Sequence, residues 1–210
     1  MEYLSNIFGY NSSSLLLFTG VNFWIFFGII FFIFTLIYSK IGWRNVFLFI
    51  ASLFFYYKCG GEFVLLLFIL VVINYFLGIR MGRIQEKSQR KPLLLLTIFL
   101  NLGILVWFKY TGFFISLFNQ VTGSHVKVFN FINFGINNLS GAHLDITDIV
   151  VPLGISFFTF QLISYSIEVY RKRIEPIHIF SDFGFYITFF PQLISGPIVK
   201  PQNFIPQIYR

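Results

Sequence analysis

Residues 15–37 form a run of 23 residues without a charged side chain. A helix rises about 1.5 Å per residue, so a run of this length can cross a hydrocarbon layer about 30 Å thick. Four further apolar runs follow, at 46–57, 63–79, 93–108 and 151–170. A helix satisfies its own backbone hydrogen bonds, as a segment surrounded by lipid must. The pattern therefore predicts an all-α, multi-pass membrane protein.

The composition supports this prediction. Hydrophobic residues make up 57% of the chain and charged residues only 11%, and Phe alone occurs 32 times. Soluble domains carry roughly 25% charged residues, so the excess apolar surface is expected to face lipid. The net charge of +7 comes from cations placed between the apolar runs, which argues against a nucleic-acid partner. The single cysteine, Cys59, excludes an internal disulfide framework and a Cys-based zinc site.

The distribution of Lys and Arg predicts the side of each loop. If all five runs cross with the N-terminus outside, ten cations lie in cytoplasmic loops and two in external loops. If the short run 46–57 did not cross, the basic loop 80–91 would lie outside, against the positive-inside rule. No Lys or Arg precedes the first run, so we expect a retained span and not a signal peptide. The prediction is about five transmembrane helices in the cell inner (cytoplasmic) membrane.

Two segments depart from simple spans. Residues 119–148 are mixed and polar, which predicts an external loop holding one amphipathic, interfacial piece at 128–139. The last apolar run, 183–199, contains two Pro and a Gly, and such breakers predict a re-entrant hairpin. An interfacial loop between two helices is the alternative. No repeat or linker is present, so residues 1–210 are predicted to form a single transmembrane domain.

Polar side chains within the apolar runs are the candidate site residues. Gln161, Ser164 and Glu168 fall within about 60° of one another on a helical wheel, so this stripe should face protein or a water-filled cavity. Alternatively the stripe holds helices together, and Glu168 snorkels to the interface or pairs with Arg171 or Lys172. In the predicted hairpin, Gln192 could satisfy the freed backbone amides.

The histidines are poor candidates for chemistry. His125 and His143 lie in the predicted external loop, and His178 lies in a cytoplasmic connection. None of the three lies inside an apolar run, and no two have the i, i+4 spacing of metal ligands. We predict no metal site and no Ser–His–Asp arrangement.

Two strings carry a family resemblance: VPLGISFFTFQLISYSIEVYR at 151–171 and YITFFPQLISGPIVKPQNFIPQI at 186–208. They resemble the membrane-bound O-acyltransferase family, in particular the branch that acetylates extracytoplasmic polysaccharides such as alginate or peptidoglycan. The strings RNVFLFIASLFFYYKCGGEFVLLLFILVVINYFLG at 44–78 and LVWFKYTGFF at 105–114 are similar to the same branch. The resemblance thus runs over nearly the whole chain.

The resemblance implies a ring of helices with a funnel from each membrane face, of which this chain would form the N-terminal part. Residues 190–197 would line the cytoplasmic funnel. The family's catalytic His lies in a later segment and is expected beyond Arg210, so no catalytic residue is predicted within this chain. The residues expected to line or support the donor funnel are Pro191, Gln192, Gly196, Pro197, Gln161, Ser164 and Glu168.

By resemblance, the expected activity is O-acyl transfer, here O-acetyl transfer to an extracytoplasmic polysaccharide. No bound cofactor is expected; the acyl donor, such as acetyl-CoA or an acyl carrier, is a substrate. Expected partners are the lipid bilayer, an acyl donor or carrier protein, and an extracytoplasmic component of the O-acetylation machinery. The alternative is a truncated, catalytically inactive scaffold that binds a partner. A small transporter ranks last, because only Glu168 and Lys109 approach the middle of a span.

Overall fold

The computed structural model describes residues 20–193, 196 and 199–209. In this part of the chain the regular structure is helical, without a β-strand, which confirms the all-α prediction. The helices are α1 (Val21–Ile37), α2 (Ile41–Gly60), α3 (Phe63–Arg83), α4 (Lys87–Thr122), α5 (Phe131–Ser140), α6 (Ile155–Tyr170), α7 (Phe180–Thr188), α8 (Phe190–Leu193) and α9 (Pro201–Ile208).

Two of these helices, α3 and α4, are long and apolar enough to cross a membrane, and α1 is a shorter apolar helix. Large apolar side chains point outward from them, as shown by Phe31, Phe76 and Phe99, which are 61%, 64% and 79% exposed. An apolar surface of this kind requires lipid or another protein against it. The number of five spans stays a prediction.

The second apolar run gives a longer helix than its 12 apolar residues suggest. Helix α2 extends over 20 residues, because its polar ends are folded into the helix. Arg44 and Asn45 near its start, and Lys58 near its end, are buried within the protein. A length of 20 residues corresponds to about 30 Å.

The helices α2, α3, α4 and α6 run alternately in opposite directions. At one end of the molecule, Arg90 at the start of α4 donates to the carbonyl oxygen of Tyr170 at the end of α6. At the other end, the hydroxyl of Tyr56 in α2 donates to the carbonyl oxygen of Leu153, 2.8 Å away, just before α6. The basic segment 80–91, in which only residues 84–86 lie outside α3 and α4, and the basic turn 171–173 therefore lie at the same end, as the positive-inside rule requires of cytoplasmic segments.

Helices α3 and α4 are joined by a buried pair of amides. Asn101 Nδ2 donates to Asn74 Oδ1 at 2.8 Å, and Asn74 Nδ2 lies 3.3 Å from Asn101 Oδ1. Neither side chain is exposed. Interhelical hydrogen bonds of this kind hold helices together where hydrophobic burial cannot.

The polar segment between α4 and α6 contains the short helix α5. It spans residues 131–140, whereas the sequence predicts an amphipathic piece at 128–139. Asn130 caps it by accepting a hydrogen bond from the backbone N–H of Asn133, 3.1 Å away. The Asn133 side chain in turn donates to the carbonyl oxygen of Asp145 at 2.7 Å. Amide side chains thus fix the loop against its own helix.

The last apolar run is interrupted at Phe189, where ψ is 106° and the backbone leaves the helical region. The break lies two residues before Pro191 and separates α7 from the four-residue α8. A re-entrant course stays a prediction. The predicted site residue Pro197 lies outside the described residues.

Candidate functional site

The helix break at Phe189 is held against α2. The backbone N–H of Phe190 donates to Ser52 Oγ at 3.3 Å. Gln192, which the sequence suggested for this role, has a buried Oε1 without a hydrogen-bond partner among the described residues. The freed amide faces α2, so a serine 138 positions away satisfies it.

The same region packs tightly against the start of α6. Gly154, the N-cap of α6, has φ of 70°, a left-handed conformation that favours glycine. A methyl group at this position would lie 2.6 Å from the carbonyl oxygen of Leu193. Glycine thus lets α8 approach the first turn of α6.

An apolar cavity of about 410 Å³ lies between α1, α2 and the segments on either side of the break. Pro191 is part of its wall. The other lining residues are Phe27, Ile30, Phe31, Phe34, Tyr38, Arg44, Leu48, Phe185, Phe189, Phe190, Phe204, Gln207 and Ile208. Its surface is mainly aromatic and aliphatic, with a single charged side chain.

That charged residue, Arg44, belongs to a buried polar cluster at one end of the cavity. Its Nη2 donates to the carbonyl oxygen of Ile208, and its Nε lies 3.4 Å from Asn45 Oδ1. Asn45 Nδ2 donates to Asp182 Oδ1 at 3.0 Å. A cation and a carboxylate therefore share one hydrogen-bonded network that joins α2 to α7 and α9.

Tyr209 completes this cluster on its outer side. Burial, followed by the charge of the Asp182 carboxylate and a hydrogen bond to it, raises the pKa of Tyr209 to about 12. The phenol therefore stays protonated near neutral pH and can donate to Asp182.

The predicted polar stripe on α6 packs against protein. Gln161 is 1% exposed, and its Nε2 donates to the carbonyl oxygen of Tyr186 at 2.7 Å. Glu168 pairs with Arg173 at 3.6 Å and accepts a hydrogen bond from Gln202. Ser164 is half-buried. The stripe thus ties α6 to α7 and α9, and the partner of Glu168 is Arg173 in place of the suggested Arg171 or Lys172.

The predicted site residues are brought together only in part. Pro191 lines the cavity, whereas Gln161, Ser164, Glu168, Gln192 and Gly196 do not. Gly196 instead packs on Gln192, to whose carbonyl oxygen its N–H donates at 2.9 Å. No group of three metal-ligating side chains occurs in the described ranges.

No protein-family model matches the chain, and no solved structure matches it. Curated relatives do. A probable alginate O-acetylase, AlgI, of Pseudomonas aeruginosa is 33% identical over 166 residues, covering 79% of this chain and 29% of that protein. A peptidoglycan O-acetyltransferase of Helicobacter pylori is 30% identical over 78% of this chain and 32% of that protein. A probable alginate O-acetylase of Azotobacter vinelandii is 31% identical over 80% of this chain and 31% of that protein.

The chain belongs to the membrane-bound O-acyltransferase family. It spans about three tenths of the length of these relatives. The strings through which it resembles the O-acyltransferases fall on the contacts described above. Gly154 and Gln161 lie within the string at 151–171. The helix break at Phe189 and the cavity-lining Pro191 lie within the string at 186–208.

Sequence reasoning missed the buried cluster of Arg44, Asn45 and Asp182. In the sequence, Arg44 has the position of a cytoplasmic-loop cation, and Asp182 belongs to no recognisable motif. A signal was present, since Arg44 and Asn45 immediately precede an apolar run and Asp182 immediately precedes another. No local pattern shows that residues 45 and 182 meet.

Proposed function

We propose that this protein is an O-acyltransferase of the inner membrane that transfers an acyl group, in particular acetyl, to a hydroxyl of an extracytoplasmic polysaccharide. The donor is acetyl-CoA or an acyl carrier, and the N-terminus lies outside. The observation that carries the proposal is the identity of 30 to 33% over about four fifths of the chain to proteins named as O-acetylases.

Within this function the chain supplies the membrane scaffold and part of the funnel through which the donor approaches. The apolar cavity beside Pro191 supports this role, because its aromatic walls suit an acyl group or the apolar part of a donor. The buried Arg44 at its end supplies a positive charge for an anionic donor. The interrupted backbone is shaped by Pro191, Gly196 and Pro197. The donor path is held or lined by Gln161, Ser164, Glu168 and Gln192.

The reaction needs a base near the acceptor hydroxyl. In the O-acyltransferase family a His of a later segment provides an imidazole, which would act as general base or relay the acyl group. The three histidines of this chain are exposed. None of them lines the cavity beside Pro191.

The alternative function is a catalytically inactive membrane scaffold that binds a donor or an extracytoplasmic partner. The exposed position of all three histidines favours this alternative for residues 1–210 acting alone.

The two functions are separated by isolating the protein from its native membranes. Its intact mass is compared with 24.6 kDa, the mass of residues 1–210, and transfer from labelled acetyl-CoA to polysaccharide is followed beside an active relative. Transfer supports the enzyme. If the relative transfers acetyl and this protein does not, the enzyme proposal fails and the binding function stands.

A further inference from the structure

A second cleft opens where the start of α4 meets the end of α6. Its volume is about 510 Å³. Five residues line it: Lys87, Arg90, Tyr170, Arg171 and Arg173. Four of them are cationic. The cleft shares no lining residue with the apolar cavity.

Arg90 is the central feature of this cleft, because it is only 6% exposed. Its Nη1 donates to the carbonyl oxygen of Tyr170, and its guanidinium lies 5.5 Å from the centre of the Tyr170 ring. Its Nε donates to no acceptor among the described residues. A buried cation is costly unless an anion or further hydrogen bonds compensate for its lost hydration.

Three carboxylates lie near these cations in sequence: Glu86, Glu168 and Glu175. Glu86 accepts hydrogen bonds from the side chains of Ser88 and Gln89. Glu168 pairs with Arg173 and accepts from Gln202. None of the three lines the cleft. Among the described residues Glu168 balances Arg173 alone, so the charges of Lys87, Arg90 and Arg171 are not balanced from within the walls.

The backbone adds to the positive potential. Helix α4 begins at Lys87 and has no acidic residue in its first turn, and the side chain of its N-cap, Glu86, makes no hydrogen bond to the first N–H groups. Its unpaired N–H groups and the positive end of its dipole therefore favour an anion. On the other side, Lys172 adopts φ of 55°, and its Nζ donates to Gln85. This contact holds the turn between Arg171 and Arg173 against the loop before α4.

We propose that this cleft binds a phosphate group, carried either by an anionic lipid headgroup or by a soluble phosphate ester. A guanidinium matches phosphate oxygens in geometry and charge, and the cleft is large enough for a headgroup and not only for an ion. The general bias of cytoplasmic loops toward Lys and Arg accounts for exposed cations such as Lys87 and Arg171. It does not account for a buried cation that pairs with no carboxylate among the described residues, as is the case for Arg90.

The test uses the protein purified as its gene encodes it, with two probes. Native mass spectrometry measures retention of phosphatidylglycerol against phosphatidylcholine, which lacks a net charge. Thermal unfolding measures stabilisation by inorganic phosphate against chloride at equal ionic strength. The cleft variant is the double substitution Lys87→Gln and Arg171→Gln. Its control is Arg83→Gln with Lys91→Gln, which removes two exposed cations of the same region that do not line the cleft.

We expect the cleft variant to weaken binding of at least one probe about tenfold, the effect of losing a charge-assisted hydrogen bond. The control should change binding by no more than about twofold. Arg90→Lys, which keeps the charge but loses the planar guanidinium with its paired N–H donors, should also weaken binding.

An effect on phosphatidylglycerol alone identifies a lipid headgroup, and an effect on inorganic phosphate alone identifies a soluble ester. Equal losses in the control, unchanged binding in Arg90→Lys, or binding of neither probe would overturn the proposal.

Discussion

Single glycines determine how closely the segments around the helix break approach each other. At Gly154 both the left-handed φ and the nearby Leu193 carbonyl exclude a side chain. At Gly184 in α7, a methyl group would lie 2.5 Å from the Phe49 ring of α2. The two positions differ in one respect, because an aromatic ring can shift whereas a backbone carbonyl in a packed turn moves only with its segment.

Replacing Gly154 with Ala should therefore destabilise the protein by about 1–3 kcal/mol, since backbone strain and a clash with backbone act together. The measurement is the free energy of unfolding in detergent. Gly103→Ala in α4 is the matched control, because a methyl group there meets nothing within 4 Å. That change should be neutral or stabilising by up to about 1 kcal/mol. Equal effects of the two substitutions would contradict the packing of α8 on α6.

At the scale of helices, polar side chains carry much of the specificity between neighbouring elements. The Asn74–Asn101 pair joins α3 to α4, Gln161 joins α6 to α7, and Ser52 joins α2 to α8. Apolar helix surfaces pack against lipid nearly as well as against each other, so hydrogen bonds help select the partner helix.

The Asn pair offers a test of this selection. Asn101→Leu should destabilise the protein by about 1–2 kcal/mol, because it leaves Asn74 without its interhelical partner. The double variant Asn74→Leu with Asn101→Leu should lose less than the sum of the two single variants. A double-mutant cycle on unfolding in detergent measures this coupling. Strict additivity would show that the pair does not interact.

At the scale of the whole molecule, the apolar cavity and the cluster at its end connect segments far apart in the chain. Leu48 of α2 lines the cavity, whereas Ile50, two residues away, is 59% exposed on the outer face. The two positions therefore separate the effect of filling the cavity from the effect of adding an indole to α2.

If the cavity is part of the donor path, Leu48→Trp should lower acyl transfer by the complete enzyme about tenfold or more, because the indole occupies space that the acyl group needs. Ile50→Trp should leave transfer within about twofold. Transfer from labelled acetyl-CoA is measured on variants that elute as single species in detergent. If Leu48→Trp folds and transfers normally, the cavity is not on the donor path.

How far the site could be predicted depends on the residue. The sequence predicts an interrupted run at Pro191, and the helix breaks two residues before it, at Phe189. Proline alone does not determine such a break, because Pro92 and Pro206 lie inside α4 and α9. Gln192 was expected to satisfy the freed amide, but Ser52 does so. That outcome depends on which face of α2 the break meets, and no local pattern contains this information.

The order of residues alone predicts an all-helical membrane protein whose basic segments gather at one end. Charge-free runs and their flanking cations decide this locally, through hydrogen bonding and the cost of placing charge in lipid. Only the tertiary structure brought Asn45 to Asp182, 137 positions away, and buried Arg90 beside Tyr170. Such contacts depend on how whole helices pack, and residues far apart in the chain leave no periodic signal of their meeting.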